Sequence, residues 1–229
     1  MTPKQVLVTG SSRGIGLELV RQYAAEGAQV IATCRDPDRA EELRSLPGPV
    51  TIRRLDVASE GDLRALVAEL GPTPIDVLIG NAAVFGGGKS RLGVVDFDAW
   101  RAALEVNVLG AMRVAFALWE NVAASEGRRI VFVGSRAGLP REARAGASYI
   151  YGSTKAALNS AARLLALDLA PKGVIVSILN PGHVQTGIGG AKAPMTPAES
   201  VTLMRRRISE LTPQDAGKFL HFDGKDLKL

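Results

Sequence analysis

Tyr151 and Lys155 stand four residues apart, a spacing that puts both side chains on one face of a helix. A free phenol titrates near 10, too high for easy proton exchange at neutral pH. A neighbouring ammonium stabilises the phenolate, by about 1.4 kcal/mol for each unit of lowered pKa. The pair is therefore a usable general acid for reducing a carbonyl, or a base for the reverse oxidation. Ser135, at the end of a predicted strand, adds a hydroxyl for the oxygen that gains charge in such a reaction. Alone, Tyr-x-x-x-Lys usually means an amphipathic tyrosine beside a surface lysine, and a serine at a strand end usually caps a turn. Tyr149 is followed four positions on by Ser153 and lacks the lysine. His183 has no orienting carboxylate in view and reads as a wall of the crevice.

A proton donor of this kind needs a hydride source, and the start of the chain suggests one. The run Val6-Leu7-Val8-Thr9 leads straight into Gly10-Ser11-Ser12-Arg13-Gly14-Ile15-Gly16 and then into helical periodicity. Gly10 lets the chain leave a strand sharply, Gly14 lets backbone approach a pyrophosphate, and Gly16 allows close helix-on-strand packing. Ser12, Arg13 and Ile15 lie among these glycines and count with them as cofactor-binding positions, facing an anion at the helix start. The spacing is G-x-x-x-G-x-G, and only its place at the first strand–helix junction lifts it above an ordinary tight turn. The second predicted strand ends Thr33-Cys34-Arg35-Asp36. The forked guanidinium of Arg35, with Arg13 opposite, suits a 2′-phosphate and favours NADP(H), while Asp36 leaves NAD(H) open.

The elements that must hold these residues follow from the hydrophobic pattern. Short apolar runs predict strands over residues 5–9, 29–33, 50–54, 77–80, 129–134 and 174–179. Helical periodicity falls over 15–26, 37–45, 60–70, 97–124 and 151–170. The strands carry Val and Ile without polar alternation, as when both faces are covered. The class is therefore α/β: a Rossmann-type doubly wound, mostly parallel sheet with helices on both faces, in three α/β/α layers. The 229 residues suit one domain, 1–229, with no repeat or long linker. Gly86-Gly87-Gly88 and residues 187–197 are the loosest stretches, and residues 183–212 are expected to form the substrate loop.

The bulk properties narrow the partners. Net charge is +5, but Arg53-Arg54, Arg128-Arg129 and Arg205-Arg206-Arg207 are scattered among acidic residues, unlike the dense stripe of a nucleic-acid binder. No uninterrupted apolar run approaches the length that crosses a bilayer, and no signal peptide is read at the N-terminus. A single cysteine, Cys34, excludes an internal disulfide framework and a cysteine-based zinc site. A cytoplasmic protein that binds neither nucleic acid nor membrane is expected.

Taken together these residues resemble the short-chain dehydrogenase/reductase family over nearly the whole chain. Residues 9–16 match its cofactor turn, and Leu55-Asp56-Val57 matches its adenine-contacting segment, which implies cofactor roles for Asp56 and Val57. Asn81-Ala82-Ala83 resembles the Asn-Asn-Ala-Gly element after strand four, and implies that Asn81 supports the sheet and cofactor. Asn107 in Val-Asn-Val matches the helix asparagine that helps hold a proton-relay water near the lysine, and Ser135, Tyr151 and Lys155 complete a catalytic tetrad. Asn180-Pro181-Gly182, with Val184 and Thr186, matches the segment that contacts the nicotinamide amide. The chain departs from the pattern at Gly80 and Ala83, in the longer interval between Ser135 and Tyr151, at Gly187 where relatives often carry an acid, and at His183 where a tryptophan is common.

The phrases IATCRDP, APMTPAES and GKFLHFDGK resemble sniffer-type carbonyl reductases and C-factor-like proteins. That resemblance implies NADPH and reduction of a small aldehyde, ketone or quinone, the same residues serving an alcohol in the other direction. The alternative it implies is an NADP-binding signalling or sensor protein with little turnover. Helices 97–124 and 151–170 resemble the family's subunit-interface helices, so a homodimer or homotetramer is expected, although their apolar faces equally suit a core.

Overall fold

Runs of apolar residues without polar alternation become a parallel sheet covered on both faces. The computed structural model describes residues 3–87, 92–144 and 147–229. The strands are β1 (Gln5–Thr9), β2 (Gln29–Cys34), β3 (Val50–Arg54), β4 (Val77–Gly80), β5 (Arg129–Val133), β6 (Ile175–Asn180) and β7 (Phe219–His221). Their order is β3-β2-β1-β4-β5-β6-β7, and each neighbouring pair is parallel. The chain winds outward from β1 in one direction and from β4 in the other. A crevice therefore opens between the carboxyl ends of β1 and β4, where ligands bind in such sheets.

Successive strand residues point to opposite faces. Leu7, Ile31, Leu78, Ile130 and Phe132 enter one core, with residues of α3 (Glu60–Leu70), α5 (Ala111–Ala123) and α6 (Tyr149–Leu169). Val6, Val8, Val30, Ile79 and Val131 enter the other, with α1 (Gly14–Ala25), the short α2 (Glu41–Arg44) and α7 (Pro197–Ser209). The result is the expected three-layer doubly wound fold. Phe132 and Phe219 are among the largest fully buried side chains, each contributing about 1.5–3 kcal/mol from burial.

Besides β7, which no predicted strand covers, four elements differ from the sequence expectation. The predicted helix 97–124 is α4 (Phe97–Leu104) followed by α5, joined by a π-helical turn over Glu105–Gly110. This continuous 27-residue rod reaches a mean hydropathy of 1.4 over its most apolar stretch, enough by length and composition to cross a bilayer; here Val114, Leu118 and Val122 pack it onto the sheet. The predicted helix 37–45 shrinks to Glu41–Arg44, because Pro37–Ala40 closes as a turn with Ala40 N donating to Pro37 O. The helix of Tyr151 begins two residues earlier, at Tyr149, with Ser148 as its N-cap. The expected substrate loop over 183–212 is a loop only in its first half. Residues Pro197–Ser209 form α7, closed at its start by a reciprocal Thr196–Glu199 capping box and packed on α1. Gly88 lies outside the described residues.

Candidate active site

The β1–α1 turn is held by its neighbours rather than by itself. Ser11 N donates to Thr33 O at 2.9 Å, tying the turn to β2. Asn81 Nδ2 donates to the carbonyls of Thr9 and Gly10 at 2.9 and 3.0 Å, tying it to β4. Gly16 is required for this closeness: a Cβ there would lie 2.2 Å from Gly10 O and 2.6 Å from Asn81 Nδ2. Gly10 adopts φ +68°, a conformation that favours glycine, against the backbone of Ala82. At the helix start Arg13 is the N-cap and supplies no side-chain acceptor. The first N–H groups of α1 are thus left for an external anion.

Ser135, Tyr151 and Lys155 converge where β5 ends and α6 begins. Ser135 starts a short 3₁₀ turn, its Oγ accepting from Ala137 N at 3.2 Å. Ser148 Oγ accepts from Tyr151 N at 3.1 Å, fixing the turn that carries the phenol. The Ser135 hydroxyl lines the same cleft as the Tyr151 phenol. Phe85 packs on the Tyr151 ring, with centroids 5.3 Å apart. Lys155 Nζ donates to Val133 O at 2.9 Å and sits 5.7 Å from the centre of the Tyr151 ring.

Burial pushes the Tyr151 phenol above its ordinary value, and the Ser135 hydroxyl pulls against that rise. The lysine-driven depression expected from spacing is not the dominant effect, because the desolvation of the phenol outweighs it. Burial lowers Lys155 to about 8. The tyrosine is thereby kept protonated at neutral pH, beside an ammonium that stabilises charge once the proton has left.

These residues open into a cleft of about 1400 Å³ whose lining also includes Ile15, Asn81, Pro181, Gly182, Val184 and Thr186. Gly14 faces the far wall, where a Cβ would meet Thr186 Cγ2 at 3.3 Å. Ser12, Arg13 and Arg35 are exposed. Asp36 pairs with Arg39 rather than with Arg35, and neither Arg13 nor Arg35 has an acidic partner among the described residues. Three expected site residues have structural duties outside the cleft lining. Asp56 accepts from Ala58 N at 3.0 Å, while Val57 is buried against Gly110. Asn107, buried in the π-helical turn, bridges elements: Oδ1 accepts from Val84 N, and Nδ2 donates to Val84 O and Thr154 Oγ1, at 2.8, 2.8 and 3.0 Å.

The wall of the cleft over 183–195 closes on itself. His183 Nε2 lies 2.8 Å from Gly189 O, Gln185 Nε2 donates to Ala193 O at 2.9 Å, and Gln185 N donates to Met195 O at 2.8 Å. Sequence reasoning foresaw the loop but not the role of Met195 in it, and it missed His221 and Phe222, which line the cleft from β7 and the residue after it. Phe222 and Met195 press on Gly182, and His221 Nδ1 stands 2.9 Å from Asp223 Oδ1. The one available signal was Thr196-Pro-Ala-Glu199, a capping box that announces α7 and so ends the loop.

The family model for short chain dehydrogenases matches residues 4–196. The chain belongs to the short chain dehydrogenase family. It is 36% identical over 165 residues to the C-signal of Myxococcus xanthus, covering 72% of this chain and 99% of that protein. Among solved structures, the carbonyl reductase Sniffer of D. melanogaster superposes with a TM-score of 0.91 at 28% identity, over 99% of each chain. The NADPH-bound carbonyl reductase from chicken fatty liver does so with a TM-score of 0.92 at 27% identity, over 100% of each chain. The family match spans the cofactor turn and the Tyr151–Lys155 pair and stops at the N-cap of α7.

Proposed function

We propose that this member of the family is an NADP(H)-dependent reductase of small carbonyl compounds, with Tyr151 as proton donor. One observation carries the reading: Ser135, Tyr151 and the buried Lys155 gather in one large cleft, into which Ile15 of the glycine turn also projects. The residues fit the dinucleotide. The α1 N-terminus lacks a side-chain cap, Gly14 leaves the turn without a Cβ, and Asn180 Nδ2 is buried at the cleft without an acceptor. The unpaired guanidinium groups of Arg13 and Arg35 suit a 2′-phosphate. NADPH-bound structures among the similar proteins support the same choice. Gly10, Ser12, Ile15, Gly16, Asp56, Val57 and Asn81 would hold the adenine and pyrophosphate side, and Pro181, Gly182, Val184 and Thr186 the nicotinamide side.

When bound, the cofactor supplies hydride. Ser135 hydrogen-bonds the carbonyl oxygen, and Tyr151 donates its phenolic proton to that oxygen. Lys155 stabilises the resulting phenolate. Asn107 is a positioning residue, fixing the Val84 loop and α6 relative to each other. The exposed apolar residues Leu109, Phe116, Leu164 and Leu167 on the rod and α6 support association with a second copy. A cytoplasmic setting, one domain over the whole chain and a small carbonyl or alcohol as partner complete the reading.

The identity to C-signal favours a second reading, a cofactor-binding signalling protein with little turnover. NADPH consumption measured against a panel of aldehydes, ketones and quinones, with NADH in parallel and cofactor binding followed directly, separates the two. Turnover with NADPH preferred is expected. Tight binding with no turnover across the panel would replace the reductase by the signalling reading.

A further inference from the structure

The amino-terminal edge of the sheet, opposite the cleft, holds a second cavity of about 580 Å³ beneath α7. Its polar walls come from the starts of β1, β4 and β5, the end of α1, and α7. The three carboxylates there are all satisfied. Asp76 accepts the backbone N–H groups of Lys4, Gln5 and Gly127 at 2.6, 3.0 and 3.0 Å. Glu26 pairs with Arg205, and Glu126 with Lys4 at 3.3 Å. Of the remaining cations, Arg206 pairs with Glu210 at 3.0 Å.

Arg129 is different. It has no carboxylate partner among the described residues, and its Nη1 and Nη2 reach only the carbonyls of Gly127 and Leu211, at 2.9 and 3.4 Å. Its Nε is buried without an acceptor, and so is that of Arg205. Arg205 covers the Tyr23 ring at 4.6 Å. Burial pushes the Tyr23 phenol far up, so it stays a neutral donor. A guanidinium taken partly out of water without a counter-charge is costly, and an anion is the species that relieves it. Val77, Ile208 and the Tyr23 ring supply apolar wall beside these donors, and the volume is that of a small-molecule site.

We infer that this cavity is a second ligand site, which takes a small organic oxyanion with an apolar body, a carboxylate or a phosphate monoester, with Arg129 as its counter-charge. The site shares no lining residue with the cleft, so it stands whatever the cleft turns over.

Calorimetric titration of the full chain with benzoate and, separately, phenyl phosphate tests it, on wild type, Arg129→Gln, Ser209→Glu and Arg35→Gln. Ser209 is an exposed residue at the cavity rim, and a glutamate there adds repulsion without touching Arg129. Binding of at least one probe is expected, weakened about tenfold or more in Arg129→Gln and Ser209→Glu and unchanged in Arg35→Gln. Benzoate alone would assign a carboxylate, phenyl phosphate alone a phosphate monoester. If Arg129→Gln does not fold, Ser209→Glu decides. Wild type binding neither probe, Ser209→Glu binding within about twofold of wild type, or loss in Arg35→Gln would overturn the site.

Discussion

The two walls of the cleft are built on opposite plans. The β1–α1 turn is anchored outward, by Thr33 of β2 and by Asn81 after β4, with Gly16 seated against Gly10. The wall over 183–195 is bonded mainly to itself, through His183 with Gly189 and Gln185 with Ala193 and Met195. An outward-anchored wall moves only if the sheet moves. A self-closed loop keeps its own shape and can shift as a unit at little cost to the core. On the proposed reading the first wall holds the adenine and pyrophosphate end of the cofactor, while the second meets the nicotinamide through Val184 and Thr186 and is free to suit a substrate beyond it.

Perturbing each wall in turn tests that division. The largest effect is expected at the floor between them, where Tyr151→Phe removes the proposed proton donor and keeps the ring on Phe85. Turnover should fall about 10²–10⁴-fold while the melting temperature and NADPH binding hold; turnover within an order of magnitude of wild type would remove Tyr151 from the chemistry. Gly16→Ala comes next. Its Cβ meets backbone at 2.2 Å, so about 3 kcal/mol of stability should be lost in denaturant unfolding. A loss of only a few tenths would mean that the anchored wall yields as readily as the other.

Lys155 sharpens the picture through pH. Its folded value near 8 lies below its ordinary 10.5. Between those values the unfolded chain binds more protons than the native one, so stability from this group rises with pH across that window. The rise amounts to about 3 kcal/mol in total. Lys155→Met should lack it, seen as a stability difference from wild type that changes steadily from about pH 8 to pH 10.5. Parallel pH profiles would show that the ammonium is not buried as described. The smallest effect belongs to the self-closed wall. Gly187→Ala meets nothing within 4 Å, and stability should stay within about 0.5 kcal/mol of wild type.

The same contrast explains what the sequence could and could not disclose. The first six strands, the glycine turn and the Tyr151–Lys155 pair are local patterns: continuous apolar runs, glycines at a strand–helix junction and a helical spacing. The second wall depends on contacts between distant segments. Phe222 reaches Gly182, and β7 is three residues long, too short for any periodicity to register. Helix α7 carries Arg205-Arg206-Arg207, which reads as solvated surface until Arg205 is seen over Tyr23. The buried bridge from Asn107 to Val84 and Thr154 joins three elements, and no spacing along the chain encodes it.

The π-helical turn at Glu105–Gly110 sets the phase of everything after it in the rod. An α-helix advances about 100° per residue, so the turn acts as a frame shift written into the backbone. Were the same residues to close as an uninterrupted α-helix, everything after the turn would be carried round by about 100°. Val114, Leu118 and Val122 would then swing away from the sheet, and polar positions would face the core in their place. One widened turn thus decides which side chains that layer of the protein presents to the sheet.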